Sequence, residues 1–186
     1  MEATAVLGVE HMGVLTVLEQ LECAATAAAR GAPIPPAVFA DIQEFFAIFV
    51  DRCHHGKEEA EIFPRLTAAG SAALVTRLEA DHTTGRALAA AYADAVRGYQ
   101  PGDAASGARV DGAASAYATH LRAHIDRETG ELFPAMERAL ADDDERLVEA
   151  FERLETDRIG AGTHERLHGM IEGLAGRIDR AAAGAR

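Results

Sequence analysis

Two stretches of this sequence carry the same side chains at the same spacing, and the side chains are of the types that hold metal ions. The first is His54-His-Gly-Lys-Glu58-Glu-Ala-Glu61-Ile-Phe63-Pro64, and the second is His124-Ile-Asp-Arg-Glu128-Thr-Gly-Glu131-Leu-Phe133-Pro134. Aligned without gaps they share His, a basic residue, two Glu, an aliphatic residue, Phe and Pro. Another histidine lies upstream of each: His11 is 43 residues before His54, and His82 is 42 before His124. The pattern His … His-x-x-x-Glu therefore occurs twice. Four imidazoles and two carboxylates are the donors a two-iron centre needs, and the doubling suggests a pseudo-twofold site.

The spacing has a physical basis. Residues i and i+4 lie one above the other on a helix. His54 with Glu58, and His124 with Glu128, can therefore aim a nitrogen and an oxygen at one point. An antiparallel bundle brings such faces together around a buried metal site. Two buried carboxylates cost several kcal/mol each unless charge compensates them, and cations do so. Imidazole suits iron, copper or zinc, and carboxylates bridge pairs of ions.

The elements that must position these groups are helices. The chain has 186 residues, is 48% hydrophobic and only 5% aromatic, and is rich in Ala and Leu. That composition favours long helices over sheets. Five are expected: about Thr4–Arg30, Ala37–Ala69 with a kink or break at Pro64, Gly70–Gly98, Ala108–Leu140 with Pro134 in the equivalent position, and a last one from Asp142 to Arg180 interrupted near Gly160. Pro101–Gly107 is expected to be a loop. In each of the first four, a key histidine sits on the apolar stripe, as in Leu7, His11, Val14, Leu18 or Tyr117, Leu121, His124, Glu128. The fold class expected is all-α: one domain over 1–186, an up-and-down antiparallel four-helix bundle over about 4–140 and a C-terminal helical extension over about 142–182.

Net charge is −12, which argues against nucleic acid and against an anionic membrane surface. No apolar run is long enough to span a bilayer and no signal peptide is visible, so a cytoplasmic location is expected. Cys23 and Cys53 form no spaced motif and are read as reduced thiols.

Taken together, His11, His54 to Glu58 with Ile-Phe-Pro64, Asp81-His82 with Arg86, and His124 to Glu128 with Leu-Phe-Pro134 resemble the hemerythrin-like, or His-His-Glu cation-binding, family over roughly residues 8–140. The final helix is similar to extensions of some bacterial members. The resemblance implies two non-haem iron ions joined by an oxo, hydroxo or water bridge. It implies His11, His54, His82 and His124 as terminal ligands and Glu58 and Glu128 as bridging carboxylates. The oxygen-carrying worm proteins use five histidines, two of them as His-x-x-x-His on the third helix. Here Leu78 and Arg86 flank His82 at that spacing. The site thus resembles the four-His, two-Glu variant of bacterial iron–sulfur repair proteins and of an iron-sensing ubiquitin-ligase subunit. The cysteine-containing domain of the repair proteins has no counterpart in these residues, so that role is not implied.

Several neighbours are weighed beside these six. His55 and Glu59 form a second i,i+4 pair, and His55 is expected at the pocket edge or the surface. His120 is read as supporting or exposed. Glu61 and Glu131 recur in both halves, as helpers of a ligand histidine or as solvated helix faces. Tyr92 and Tyr117 are core residues within reach of the pocket. His164 and His168 are read as partly exposed, with an extra ligand or proton donor as the alternative.

The function expected is binding of, or reaction with, dioxygen, peroxide or nitric oxide in a redox, oxidative-stress or sensing role. Any turnover would be catalase-like or peroxidase-like, and the electron donor is not identified. Iron storage or sensing without catalysis is the alternative. A ferritin-like carboxylate oxidase would require the Glu79–His82 and Glu165–His168 strings to act as ligands, and a structural adaptor would bind no metal. His and Glu alone would also accept zinc or manganese.

Overall fold

In the computed structural model, residues 1–160 and 162–183 are described, the side chains at 164, 165 and 168 excepted. Every regular element among them is helical. Helix α1 is Glu2–Ala29, and α2 covers residues 36–68. Helix α3 is Ala72–Arg97, and α4 covers 104–139. After a short turn at Ala141–Asp143, α5 is Asp144–Ile159 and α6 is Thr163–Ala183. No helix among these residues is long and apolar enough to cross a membrane.

The helix boundaries follow from local chemistry. Pro36 opens α2, where the missing N–H is no loss and the fixed φ suits the first turn. Asp103 caps α4 by accepting from the backbone N–H groups of Ala105 and Ser106, the latter at 2.9 Å. Helix α4 therefore begins at Ala104, and Ser106 and Gly107 lie in its first turn rather than in the expected loop. Gly107 has no side chain because α1 runs against it: a Cβ there would lie 2.2 Å from the Ala28 carbonyl oxygen. Gly160, with φ 82° and ψ 151°, ends α5 in an extended positive-φ conformation open in practice only to glycine.

Neither Pro64 nor Pro134 breaks its helix. Each follows a widened turn, Glu58–Ile62 and Glu128–Leu132, in which the N–H of Phe63 and of Phe133 reaches back five residues to the carbonyls of Glu58 and Glu128. Proline crowds the carbonyl four residues before it, and widening the turn relieves this without ending the helix. A third widened segment, Phe46–His54, precedes the first motif. Such turns concentrate at functional sites.

Two apolar clusters fill the bundle. One includes Val14, Leu18, Leu21, Phe39, Tyr117 and Leu121, and the other Leu7, Phe63, Leu66, Leu78, Leu132 and Met136. The polar layer lies between them. Going along α1, Leu7 belongs to the second cluster, His11 to the layer and Val14 to the first. The C-terminal helices pack onto this frame. Leu147 and Phe151 of α5 join the second cluster, and Leu167, Leu174 and Ile178 of α6 join the first. Asp144 of α5 accepts the free N–H groups of Glu2 and Ala3 at 2.8 and 3.0 Å, and so caps α1.

Candidate metal centre

Helices α1 to α4 each place one of the spaced histidines in the polar layer. His11, His54, His82 and His124 are all buried, and Glu58 and Glu128 are fully so. The six residues converge as two pairs of imidazoles around two carboxylates. The Nε2 atoms of His11 and His54 are 3.2 Å apart, the separation of adjacent donors around one cation with bonds of about 2.1 Å. Glu128 faces both pairs. Its Oε2 lies 3.0 Å from His11 Nε2 and its Oε1 2.8 Å from His124 Nε2. Glu58 does the same, with Oε1 3.8 Å from His54 Nε2 and Oε2 3.2 Å from His82 Nε2.

The repeated phenylalanines explain their own recurrence. Phe63 stacks on His82 of the neighbouring helix at 5.4 Å, and Phe133 stacks on His11 at 5.3 Å. Each Glu-x-x-x-x-Phe unit thus supplies a carboxylate to the centre and an apolar wall to a histidine on another helix. The pseudo-twofold relation read in the sequence extends to these contacts.

These groups fit cations. Both oxygens of Glu58 and of Glu128, with Nε2 of His82 and of His124, are buried without a hydrogen-bond partner. Native interiors seldom leave such groups unmatched, and positive charge at the point of convergence would match all of them. Two compact donor sets answer the requirement: His11, His54 and Glu128, and His82, His124, Glu58 and Glu128. Without metal, protons take that role. Burial works against a charged His54, but Glu58, Glu10 and Glu128 outweigh it and raise its pKa to about 10. Burial likewise opposes charge on His82, and its contacts with Glu128, Glu58 and Glu59 raise it to about 11. Glu128 is held well below the ordinary carboxylate range, its desolvation outweighed by the surrounding imidazoles.

The far nitrogens of His54 and His82 have acidic hydrogen-bond partners, whereas Nδ1 of His11 and of His124 has none. Glu10 accepts from His54 Nδ1 at 2.8 Å, and Glu59 from His82 Nδ1 at 2.7 Å. Asp81 lies 3.6 Å from His124 Nδ1 and contacts Arg127. Such partners orient a ligand ring and raise its basicity. Their signal in the sequence was adjacency: each stands next to one of the six residues. Glu61 and Glu131, which recur more conspicuously, pair instead with Arg65 and Arg77. Glu79 is exposed, away from the centre.

His55 is buried, not at the surface. Its ring stacks on His82 at 3.9 Å and stands edge-on to His124. Its ring nitrogens have no hydrogen-bond partner, and one falls within 4.8 Å of donors from those two residues. The widened segment Phe46–His54 ends immediately before it, and His54 and His55 both turn inward. Burial drives the pKa of His55 down to about 3. The ring also lines a cleft of about 230 Å³, with Phe46, Val50, Ala89, Arg86 and Tyr117. Tyr92 lines the same cleft, with its hydroxyl donating to the Phe39 carbonyl at 3.2 Å. His120 donates to the Asp81 carbonyl at 2.9 Å and so supports α3. Cys53 is buried, and desolvation pushes its thiol up to about 12. The readings made for the side chains of His164, Glu165 and His168 lie outside the described residues.

An up-and-down helical bundle with histidine pairs and two glutamates in its polar layer defines a class of metal-binding protein. The hemerythrin HHE cation-binding domain profile matches residues 2–136, and the chain belongs to that family. No curated protein and no solved structure gives a significant match.

Proposed function

We propose that this chain is a non-haem di-iron protein that binds or reacts with dioxygen, peroxide or nitric oxide, in a redox, oxidative-stress or sensing role. His11 and His54 would hold one ion and His82 and His124 the other, with carboxylates of Glu58 and Glu128 facing both pairs. The observation that carries this reading is the convergence of both carboxylates on imidazoles of both pairs. A bound iron pair would supply electrons and positions for a small ligand.

The chain's own residues favour a small ligand. The cleft approaches the layer between α2, α3 and α4, and its walls are largely apolar. His55 lines it, with Nδ1 3.7 Å from Asp51 and Nε2 available to hydrogen-bond an incoming oxygen or nitrogen atom. At the mouth, Arg86 is tied to Asp51 and Glu59 at 2.6 and 2.8 Å. Phe63 and Phe133 exclude water from His82 and His11, which conserves the reactivity of a buried redox centre.

Metal analysis and an optical spectrum of protein purified without tag or chelator test the reading. About two irons per chain, with near-ultraviolet bands that change on adding peroxide or nitric oxide, is the expected result. Two irons with no response would make the chain an iron-storage or iron-sensing protein. Zinc or no metal, and no response after anaerobic iron reconstitution, would overturn the di-iron reading.

A further inference from the structure

The repeat places a basic residue three positions after each motif histidine, Lys57 after His54 and Arg127 after His124. Each contacts the acid that precedes a site histidine, but only the first of these acids is hydrogen-bonded to an imidazole. Lys57 contacts Glu10, the residue before His11, and Glu10 holds His54 Nδ1. Arg127 contacts Asp81, the residue before His82, and Asp81 lies beside His124 Nδ1. The two halves also differ in the surroundings of the basic residue. Arg127 is one-third exposed, whereas Lys57 is wholly buried and its ammonium has a second carboxylate, Glu155 of α5.

We propose that Glu155 is a positioning residue for the metal centre: through Lys57 and Glu10 it acts on His54 and makes the two cation positions inequivalent. The inference rests on the metal-centre reading above. Glu155 lies on a helix beyond the 2–136 region that defines the family, so the C-terminal segment reaches into the centre.

The two oxygens of Glu10 are divided. Oε2 accepts from His54, and Oε1 meets the Lys57 ammonium. The share of negative charge that Glu10 offers His54 therefore depends on how strongly Lys57 draws on it. Glu155 takes part of that demand. The Phe151 ring, also from α5, lies 5.5 Å from the ammonium, while Glu155 itself is about one-third exposed. Glu10, Cys53 and Glu155 have the spacing of a cation site, but Lys57 already supplies the positive charge there. With Glu155 neutral, Lys57 has Glu10 alone. Glu10 then leans away from His54, and the imidazole becomes a weaker donor.

The test compares the full chain with E10Q, E155Q and the double variant. The probe is zinc(II), titrated against a competing chelator so that two binding steps are resolved. E10Q is expected to weaken one step about 10-fold and leave the other unchanged. E155Q should weaken the same step by about 2- to 10-fold, and the double variant should match E10Q, because both changes act on one chain of contacts. In the iron-loaded protein, E10Q and E155Q should both raise the reduction potential. E155D, which keeps the charge, should restore the wild-type zinc steps in part, and it carries the test if E155Q does not fold. Unchanged zinc steps in E155Q, an equal shift of both, or full additivity with E10Q would each overturn the inference while leaving the metal centre standing. A wild-type chain that takes up neither zinc nor iron would overturn the metal-centre reading itself.

Discussion

Loading the metal-free chain with cations should expel protons, and the number follows from the centre's electrostatics. His54 and His82 have pKa values raised from about 6.5 to about 10 and about 11, whereas burial keeps His55 neutral. At pH 8 the metal-free layer thus holds about two protons that metal-bound imidazoles cannot keep. The same groups set a stability profile. A raised imidazole stabilises the folded chain fully below its unfolded pKa of 6.5, and that contribution is lost as pH rises through its folded value. Between about pH 7.5 and 9.5 the folded metal-free chain binds about two more protons than the unfolded chain. Each costs about 1.4 kcal/mol per pH unit, or about 2.7 together. Two pH units would then remove about 5 kcal/mol, comparable with the whole stability of many domains. Calorimetric titration at pH 8 in buffers of different ionisation enthalpy counts the protons, and urea unfolding at pH 7.5, 8.5 and 9.5 measures the slope. The metal-loaded chain should lack the slope. Release of less than one proton, with flat stability of the metal-free chain, would refute the charge balance described here.

Other expectations follow from single contacts. Gly107→Ala forces a Cβ against the Ala28 carbonyl and should destabilise the fold by about 1–3 kcal/mol, measured by chemical denaturation; a change below about 0.5 kcal/mol would show that α1 and α4 do not meet so closely. His55→Phe should keep both ions but alter azide or peroxide binding to the iron-loaded chain, and loss of one ion would instead make His55 a ligand. Of the two thiols, exposed Cys23 should react rapidly with a thiol reagent and buried Cys53 only on unfolding; rapid modification of both in the native chain would contradict the burial of Cys53.

The six central residues were legible because the signal was periodic and doubled. An i,i+4 pair, an upstream histidine and a Phe-Pro ending each have ordinary explanations alone, but together in two copies they do not. What escaped was anything that depends on helix geometry departing from the regular α form. The repeat sets His55 opposite Ile125, which points to the pocket edge or the surface; His55 does line the cleft, but it is buried against His82 and His124. The widened segment ends on His54, immediately before His55, and both side chains are buried. Pro64 and Pro134 read as kinks, whereas the wider turns ahead of them absorb the strain. Asp103 stands among small loop residues, so the sequence pattern alone places the start of α4 near Ala108, four residues after its cap begins it at Ala104. Recurrence also misled: Glu61 and Glu131 repeat because both halves expose that face to a nearby arginine, while the acids that serve the histidines differ in type between the halves.

Among the described residues, the polar layer lies between two hydrophobic plugs, one toward each end of the bundle. Cooperativity between the two ends therefore passes through the helix backbones and through whatever charge occupies the layer. With cations bound, the six side chains behave as a rivet joining the plugs. Without them, the joint is held by transferable protons, and each plug becomes a candidate for opening by itself. Cations held in the layer would thus tie the two apolar clusters together, and emptying the layer would loosen the middle of the molecule before either end.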